Sequence, residues 1–355
     1  MIRFINYDNF FDSVNGIIID NMYDDYLKHQ QLKVIANNKI NYILSQDNDL
    51  SYLNHDVFKS VDFLTISKEA ENIECIYNLS NLQGIKLYSS VLKKIEIEKL
   101  KSLNAIYIIY DESFDLTKIP KNINKIGLRF YKGSNLNELV ELKSLVSIRI
   151  DNSSSVVNLN GIQELKLLEC LTLDYCRKLY DISALKNCNS LISIKISDCP
   201  RIEDVFGVLE KLDKVENLEL TYSETANKKI SSIVGLKNMI NLRSFTTNYQ
   251  IIDGNLYPLI RLKSVNILKW YKNYNIKDRD LPHEYVLFKE DNKVFKRNLK
   301  DIESGRDNKN IIWMDEKYWT DNNHYFYFNW KKWIGETYSE VFRCWIYEWW
   351  KIWCY

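Results

Sequence analysis

Proline and glycine are scarce, at 4 and 10 of 355 residues. Collagen-like and glycine-rich low-complexity chains are therefore excluded. No run of 18 uncharged apolar residues occurs, so no membrane-spanning helix is expected. The opening MIRFINYDNFFDSVNG has no basic region followed by an apolar core, so no secretory signal is expected. Charge of one sign is missing too: 48 basic and 47 acidic side chains leave +1. That balance gives no electrostatic case for nucleic acid or an acidic membrane surface. The 7 cysteines are odd in number and contain no CxxC pair. Reduced thiols and a cytoplasmic setting fit better than a disulfide framework.

Catalytic signatures are absent as well. There is no HExxH, GxSxG, GxxxxGK[ST] or GxGxxG. The 4 histidines are His29, His55, His283 and His324, and a His324/Cys344 pair has no spatial support in the sequence. No catalytic residue, cofactor site or metal site is assigned, and a protein without enzymatic activity is expected.

What the chain does have is asparagine, 38 of them, able to fill turn positions that need a local hydrogen bond or positive φ. It also has an internal repeat, apolar-x-x-apolar-x-apolar. Copies read Val61-Leu64-Ile66, Leu82-Ile85-Leu87, Leu103-Ile106-Ile108, Ile123-Ile126-Leu128 and Leu145-Ile148-Ile150. They continue as Leu168-Leu171-Leu173, Leu191-Ile194-Ile196 and Val215-Leu218-Leu220, with weaker copies at Leu242-Phe245-Thr247 and Val265-Leu268-Trp270. The ninth position holds Ser90, Asp111, Ser153, Cys176, Cys199, Ser223, Gln250 and Asn273, with Glu69 and Tyr131 departing.

This pattern resembles the leucine-rich repeat family, L-x-x-L-x-L-x-x-N/C-x-L at 20–29 residues. The resemblance implies a small polar ninth residue that hydrogen-bonds the turn backbone. It also implies a protein-interaction scaffold rather than an enzyme. Alternation at the fourth and sixth positions predicts a short strand. Helical spacing in Leu136/Leu139/Leu142, Ile182/Leu185, Val208/Leu209/Leu212 and Ile233/Leu236/Ile240 predicts a helix or irregular turn behind each strand. The expected fold is an α/β repeat of about ten units with a parallel sheet on a concave face. Residues 1–57 are expected as an N-terminal cap, 58–278 as the repeats and 279–355 as a small aromatic-rich α+β unit. Asn15–Ile19 and Leu32–Ile35 are candidate elements of the first cap. In the last part, Tyr285–Lys289 with Val294–Arg297 and Ile311–Trp319 with His324–Trp330 read as hairpins.

Of 9 tryptophans, eight fall in residues 313–353. Tyr338, Val341, Phe342, Trp345, Ile346, Trp349, Trp350 and Trp353 form one apolar stripe at helical spacing. The expectation is a terminal helix packed on the small C-terminal sheet. A protein contact, a membrane-surface helix and a base-stacking surface are the alternatives.

Strand positions between the apolar ones face outward. Position five gives Lys86, Tyr107, Arg149, Lys195, Glu219 and Lys269. Position seven gives Tyr88, Arg129, Asp151, Asp174 and Tyr271, and position eight gives Tyr110, Phe130, Tyr175, Tyr222 and Tyr249. Such a surface suits either a tyrosine row shielding the turn edge or a protein-binding face. The expected partner-binding residues are Tyr107, Arg129, Arg149, Asp174, Tyr175, Lys195, Glu219 and Tyr222. The partner is expected to be a protein. A toxin neutralised by an immunity protein is the narrower expectation, with a regulatory adaptor or a small enzyme in the C-terminal part as rivals. Oligomeric state is left open by the sequence.

Overall fold

The computed structural model describes residues 3–8, 12–19, 32, 40–222, 228–277, 281, 285–290, 293–298 and 312–315. The described residues fall into two compact units that divide between Leu168 and Glu169. In the first unit, β1 (Arg3–Asp8) and β2 (Asp12–Ile19) form an antiparallel hairpin. From β2 onward every pairing is parallel and sequential: β3 (Tyr42–Ser45), β4 (Phe63–Thr65), β5 (Gly84–Tyr88), β6 (Ala105–Ile109), β7 (Lys125–Arg129) and β8 (Ser147–Asp151).

The register places equal repeat positions side by side. Leu64 lies opposite Ile85, Ile85 opposite Ile106, Ile106 opposite Ile126 and Ile126 opposite Ile148. These fourth-position residues and the sixth-position Leu87, Ile108, Leu128 and Ile150 are buried. A period of two therefore sends one set of side chains into the core and the other outward. The parallel register also includes a copy the pattern lacks, Ile40-x-x-Ile43-x-Ser45. Its sixth position is a buried serine whose Oγ donates to the Asp47 carbonyl at 3.0 Å. A polar residue there hides the repeat from an apolar template.

In the second unit, β9 (Cys170–Asp174), β10 (Ser193–Ser197), β11 (Asn217–Thr221), β13 (Ser244–Thr247) and β15 (Ser264–Ile267) pair in parallel. A short parallel pair, β12 (Lys229–Ile230) with β14 (Gln250–Ile251), lies apart from that sheet. The last described strands are antiparallel, β16 (Tyr285–Glu290) with β17 (Lys293–Asn298), then β18 (Ile312–Asp315). The first predicted hairpin is thus present. The first arm of the second one pairs with β17, and its other arm lies outside the described residues. So do the tryptophan stripe, Ser223 and residues 33–35.

The tenth copy needs correction. Val265 pairs with Phe245 and Ile267 with Thr247, so the unit reads Leu262-x-x-Val265-x-Ile267, three residues earlier than the pattern suggested. Its fifth position is Asn266, not Lys269, and its seventh is Leu268, not Tyr271.

Behind the strands the chain makes 3₁₀ turns, such as Ile73–Asn78, Asn137–Leu139, Ser183–Asn187 and Val234–Asn238. Short α-helices span four residues each at Ser89–Leu92 and Phe206–Leu209, and Leu32 is helical too. Most repeats have little more than twenty residues in which to leave the strand and return. A 3₁₀ turn rises about 2.0 Å per residue against about 1.5 Å for an α-helix, so it covers that path with fewer residues. The turns bury Leu136, Leu139, Leu142, Ile182, Leu185 and Leu236 as the spacing predicts, but Ile240 is 70% exposed and Met239 takes the inward place.

Candidate functional site

The turn that follows each strand fixes which side chains point outward. At the ninth position Ser153 Oγ donates to the Tyr131 carbonyl at 2.9 Å. Asp111 accepts from the Ser90 amide at 3.0 Å and from the Ser90 hydroxyl at 2.7 Å. Cys176 Sγ lies 3.8 Å from the Asp174 carbonyl, and Cys199 Sγ lies 3.3 Å from the Ser197 carbonyl. Both cysteines are fully buried. They do at this position what Ser153 does, with a weaker donor. Among the described residues no group of three or more His, Cys, Asp and Glu is arranged to hold a metal ion.

Tyr131 departs from this scheme because its ring is buried against Tyr110, with centroids 5.5 Å apart. Gly133 makes room for it, since a Cβ there would lie 2.3 Å from the Tyr131 hydroxyl. Burial pushes the phenols of Tyr110 and Tyr131 upward from their ordinary pKa.

The eighth position turns the chain through left-handed backbone in four successive repeats, at Phe130 (φ 59°), Asn152 (50°), Tyr175 (52°) and Asp198 (52°). Asn and Asp tolerate this conformation through local hydrogen bonding, whereas an aromatic residue there is strained. The expected exposed tyrosine row is interrupted, because Tyr110 and Tyr249 are each only 4% exposed. Phe130, at 41%, carries the Arg129 guanidinium 5.0 Å from its ring centroid.

In the first unit Tyr107 and Arg149 come together around Asp151, a residue outside the expected partner-binding set, while Arg129 stands opposite Asp151 in the register with its guanidinium over Phe130. Tyr107 Oη donates to Asp151 Oδ2, and Arg149 Nε donates to both Asp151 oxygens at 2.8 Å. Tyr107 stands on β6 and Asp151 on β8. The register places Gly127 beside Tyr107 and opposite Arg149, so no side chain of that row stands over β7 on the diagonal path to Asp151. Tyr107 is 5% exposed, unlike the open tyrosine the alternation predicts. Burial, the Asp151 charge and the hydrogen bond to Asp151 together raise its phenol pKa. Alternation places Asp151 on the outward face, but it cannot show a contact that skips a strand.

In the second unit Asp174, Tyr175, Lys195, Glu219 and Tyr222 are all half-buried. Thr172, Lys195, Glu219, Thr246 and Asn266 form one row across five strands. Lys195 Nζ and Glu219 Oε1 are 2.8 Å apart. Beside that row, Ser197 and Thr221 share a hydroxyl bond of 2.7 Å. The Tyr222 amide donates to Asn248 Oδ1 at 2.9 Å.

The parallel register, the ninth-position hydrogen bonds and the stacked turns define the fold as that of leucine-rich repeat proteins. Several solved structures are similar to the chain. An internalin from Listeria monocytogenes matches at 17% identity and TM-score 0.41, over 64% of this chain and 73% of that one. A leucine-rich repeat protein from Leptospira interrogans matches at 18% and 0.41, over 74% of this chain and 61% of that one. The leucine-rich repeat domain of a type III effector matches at 15% and 0.37, over 55% and 72%. No protein-family model and no curated protein matches.

Proposed function

We propose that the chain is a protein-binding scaffold that uses the outward strand face of its second unit. The observation that carries this is Tyr175. Its left-handed backbone costs about 1–2 kcal/mol, a strain that Gly or Asn would largely avoid. Strained residues cluster at functional sites such as ligand clamps, where the surrounding structure holds them. Asp174 precedes Tyr175, and Lys195 and Glu219 stand in the neighbouring row. Aromatic anchors among charges of both signs suit a specific protein contact better than long-range attraction.

The narrower form of this proposal is an immunity protein that neutralises a toxin by occluding it. Its support is analogy alone: a repeat scaffold with one mixed-charge aromatic patch is suited to tight occlusion. A toxin gene beside the gene for this chain, and loss of toxicity on co-expression, would be the expected results. Capture of a housekeeping protein instead would favour an adaptor.

The test of the broader reading is alanine at Tyr175 and at Lys195, separately. Each should weaken binding of a partner identified by pull-down and mass spectrometry by about 1–3 kcal/mol, as anchor residues do. Unchanged binding in both variants would refute the choice of face.

A further inference from the structure

Exposed apolar side chains and unbalanced charge coincide in one stretch of the second unit. Among the described residues nine large hydrophobic side chains stand open to solvent, and six of them lie between Lys228 and Lys277. The same stretch holds nine basic residues against one acidic residue, Asp253, so the chain's overall +1 conceals a local +8. Val234, Ile240, Tyr257 and Ile260 are 50%, 70%, 62% and 48% exposed. Val234 and Tyr257 open the 3₁₀ turns Val234–Asn238 and Tyr257–Leu259, which precede β13 and β15.

The register brings these residues together. Asn217 pairs with Ser244, and Ser244 with Ser264. Just ahead of them the Arg243 amide donates to the Glu216 carbonyl and the Lys263 amide to the Arg243 carbonyl, each at 2.8 Å. Three residues further back, at one shared offset, stand Asp213, Ile240 and Ile260. The two isoleucines therefore occupy the same place in adjacent repeats. The turns are also locked to one another. The Arg261 guanidinium donates to the Leu236 carbonyl and, at 2.8 Å, to the Met239 carbonyl. Asn241 Nδ2 donates to the Asp213 carbonyl at 2.8 Å. A surface held this way loses little freedom when a partner settles on it.

We propose that this turn-side patch is a second docking surface, whose occupant is a protein that presents apolar side chains flanked by carboxylates. An apolar centre with a charged rim is the anatomy of a protein contact, and clustered exposed apolar groups mark such sites. The rim sets the partner's sign. Arg243 is matched by Glu216 at 3.1 Å, but among the described residues no acidic side chain pairs with Lys237 or Lys263. A second copy of this chain fits poorly. Any two-fold axis through Ile240 turns the row from Lys237 to Arg243 onto itself, so cation meets cation. The patch lies on the turns, whereas Tyr175 and Lys195 belong to the strand side. Either contact can exist without the other.

A benzoylphenylalanine photo-cross-linker in place of Ile240, in the full chain expressed in its own cell, tests this. The expected product is an adduct with a different protein, linked through a peptide with Asp or Glu beside apolar residues. K237E with K263E should reduce the adduct by about tenfold, since the rim charges are then reversed. Tyr175→Ala should leave it unchanged. Melting temperatures near the parent's show that the altered chains fold. Should the reversal unfold the chain, Lys237→Gln with Lys263→Gln takes its place, with the same loss expected. No adduct, an adduct with lipid or with a second copy, or a linked peptide without carboxylates overturns the proposal. So does an adduct that survives loss of both lysines, or one that disappears in a folded Tyr175→Ala chain.

Discussion

Tyr107 on β6 donates its hydroxyl to Asp151 on β8, two strands away, over the bare backbone of Gly127. The pair ties β6 to β8 through side chains that cross β7, and Arg149 holds the same carboxylate from its own strand. Removing the hydroxyl with Tyr107→Phe leaves Asp151 paired with Arg149 but short of one buried bond. The expected loss is about 1.5–3 kcal/mol of unfolding free energy, the range for hydrogen bonds to charged groups. Gly127→Val, which puts a branched side chain into the gap, should cost at least as much. Urea denaturation of the two variants measures both; a Tyr107→Phe protein as stable as the parent would show that the bond contributes nothing.

Asp111 makes stability depend on acid. Burial alone would raise its pKa, but bonds from the Ser90 hydroxyl and amide and the Ser89 hydroxyl outweigh that and hold it well below the ordinary 3.8. A carboxylate depressed in the folded state contributes its full stabilisation above the unfolded value. That contribution fades as pH falls below 3.8 toward the lower folded value. Asp111→Asn should therefore flatten the decline in melting temperature below about pH 4 relative to the parent, because the substituted group no longer titrates. An identical decline in both proteins would contradict this.

Cys199 fills a fully buried ninth position with a weak donor. Serine keeps the size and strengthens the donor, so Cys199→Ser should stay within about 1 kcal/mol of the parent. Leucine overfills the site and loses the donor, and Cys199→Leu should cost about 1–3 kcal/mol. Thermal unfolding distinguishes them, and the reverse order would refute the turn-bonding role.

Core and face should respond differently to truncation. Leu171 and Ile194 are each 1% exposed at fourth positions. Alanine at either should cost about 2–5 kcal/mol through loss of contacts and an unfilled cavity. Lys195→Ala removes one half-exposed partner of an ion pair with Glu219 and should change stability by no more than about 1 kcal/mol. Equal effects of Leu171→Ala and Lys195→Ala on the melting temperature would contradict the assigned register.

Much of the repeat was legible because its signal is periodic. Fourth-position residues recur every twenty-odd residues, as Ile85, Ile106, Ile126 and Ile148 do, and the structure puts them side by side. The β3 copy was hidden because Ser45 meets its needs with a hydrogen bond instead of apolar contact. The tenth copy was misplaced because Leu268 and Trp270 mimic the template three residues late, and only pairing with β13 fixes the register. The grouping around Asp151 was not legible, since it depends on a glycine in the intervening strand. Nor was the strain at Tyr175, which belongs to the backbone and leaves no mark in composition.

The proposal that the second unit's outward face binds a protein makes a direct prediction for affinity. Isothermal titration of an identified partner into the full chain, the Tyr175→Ala variant and the Lys195→Ala variant tests it most directly. Dissociation constants weaker by about tenfold or more in both variants, with melting temperatures close to the parent's, are predicted. Unchanged affinity in both, alongside loss of binding on substituting Trp345 or Trp349 in a folded chain, would contradict it and place the interface at the C-terminal segment.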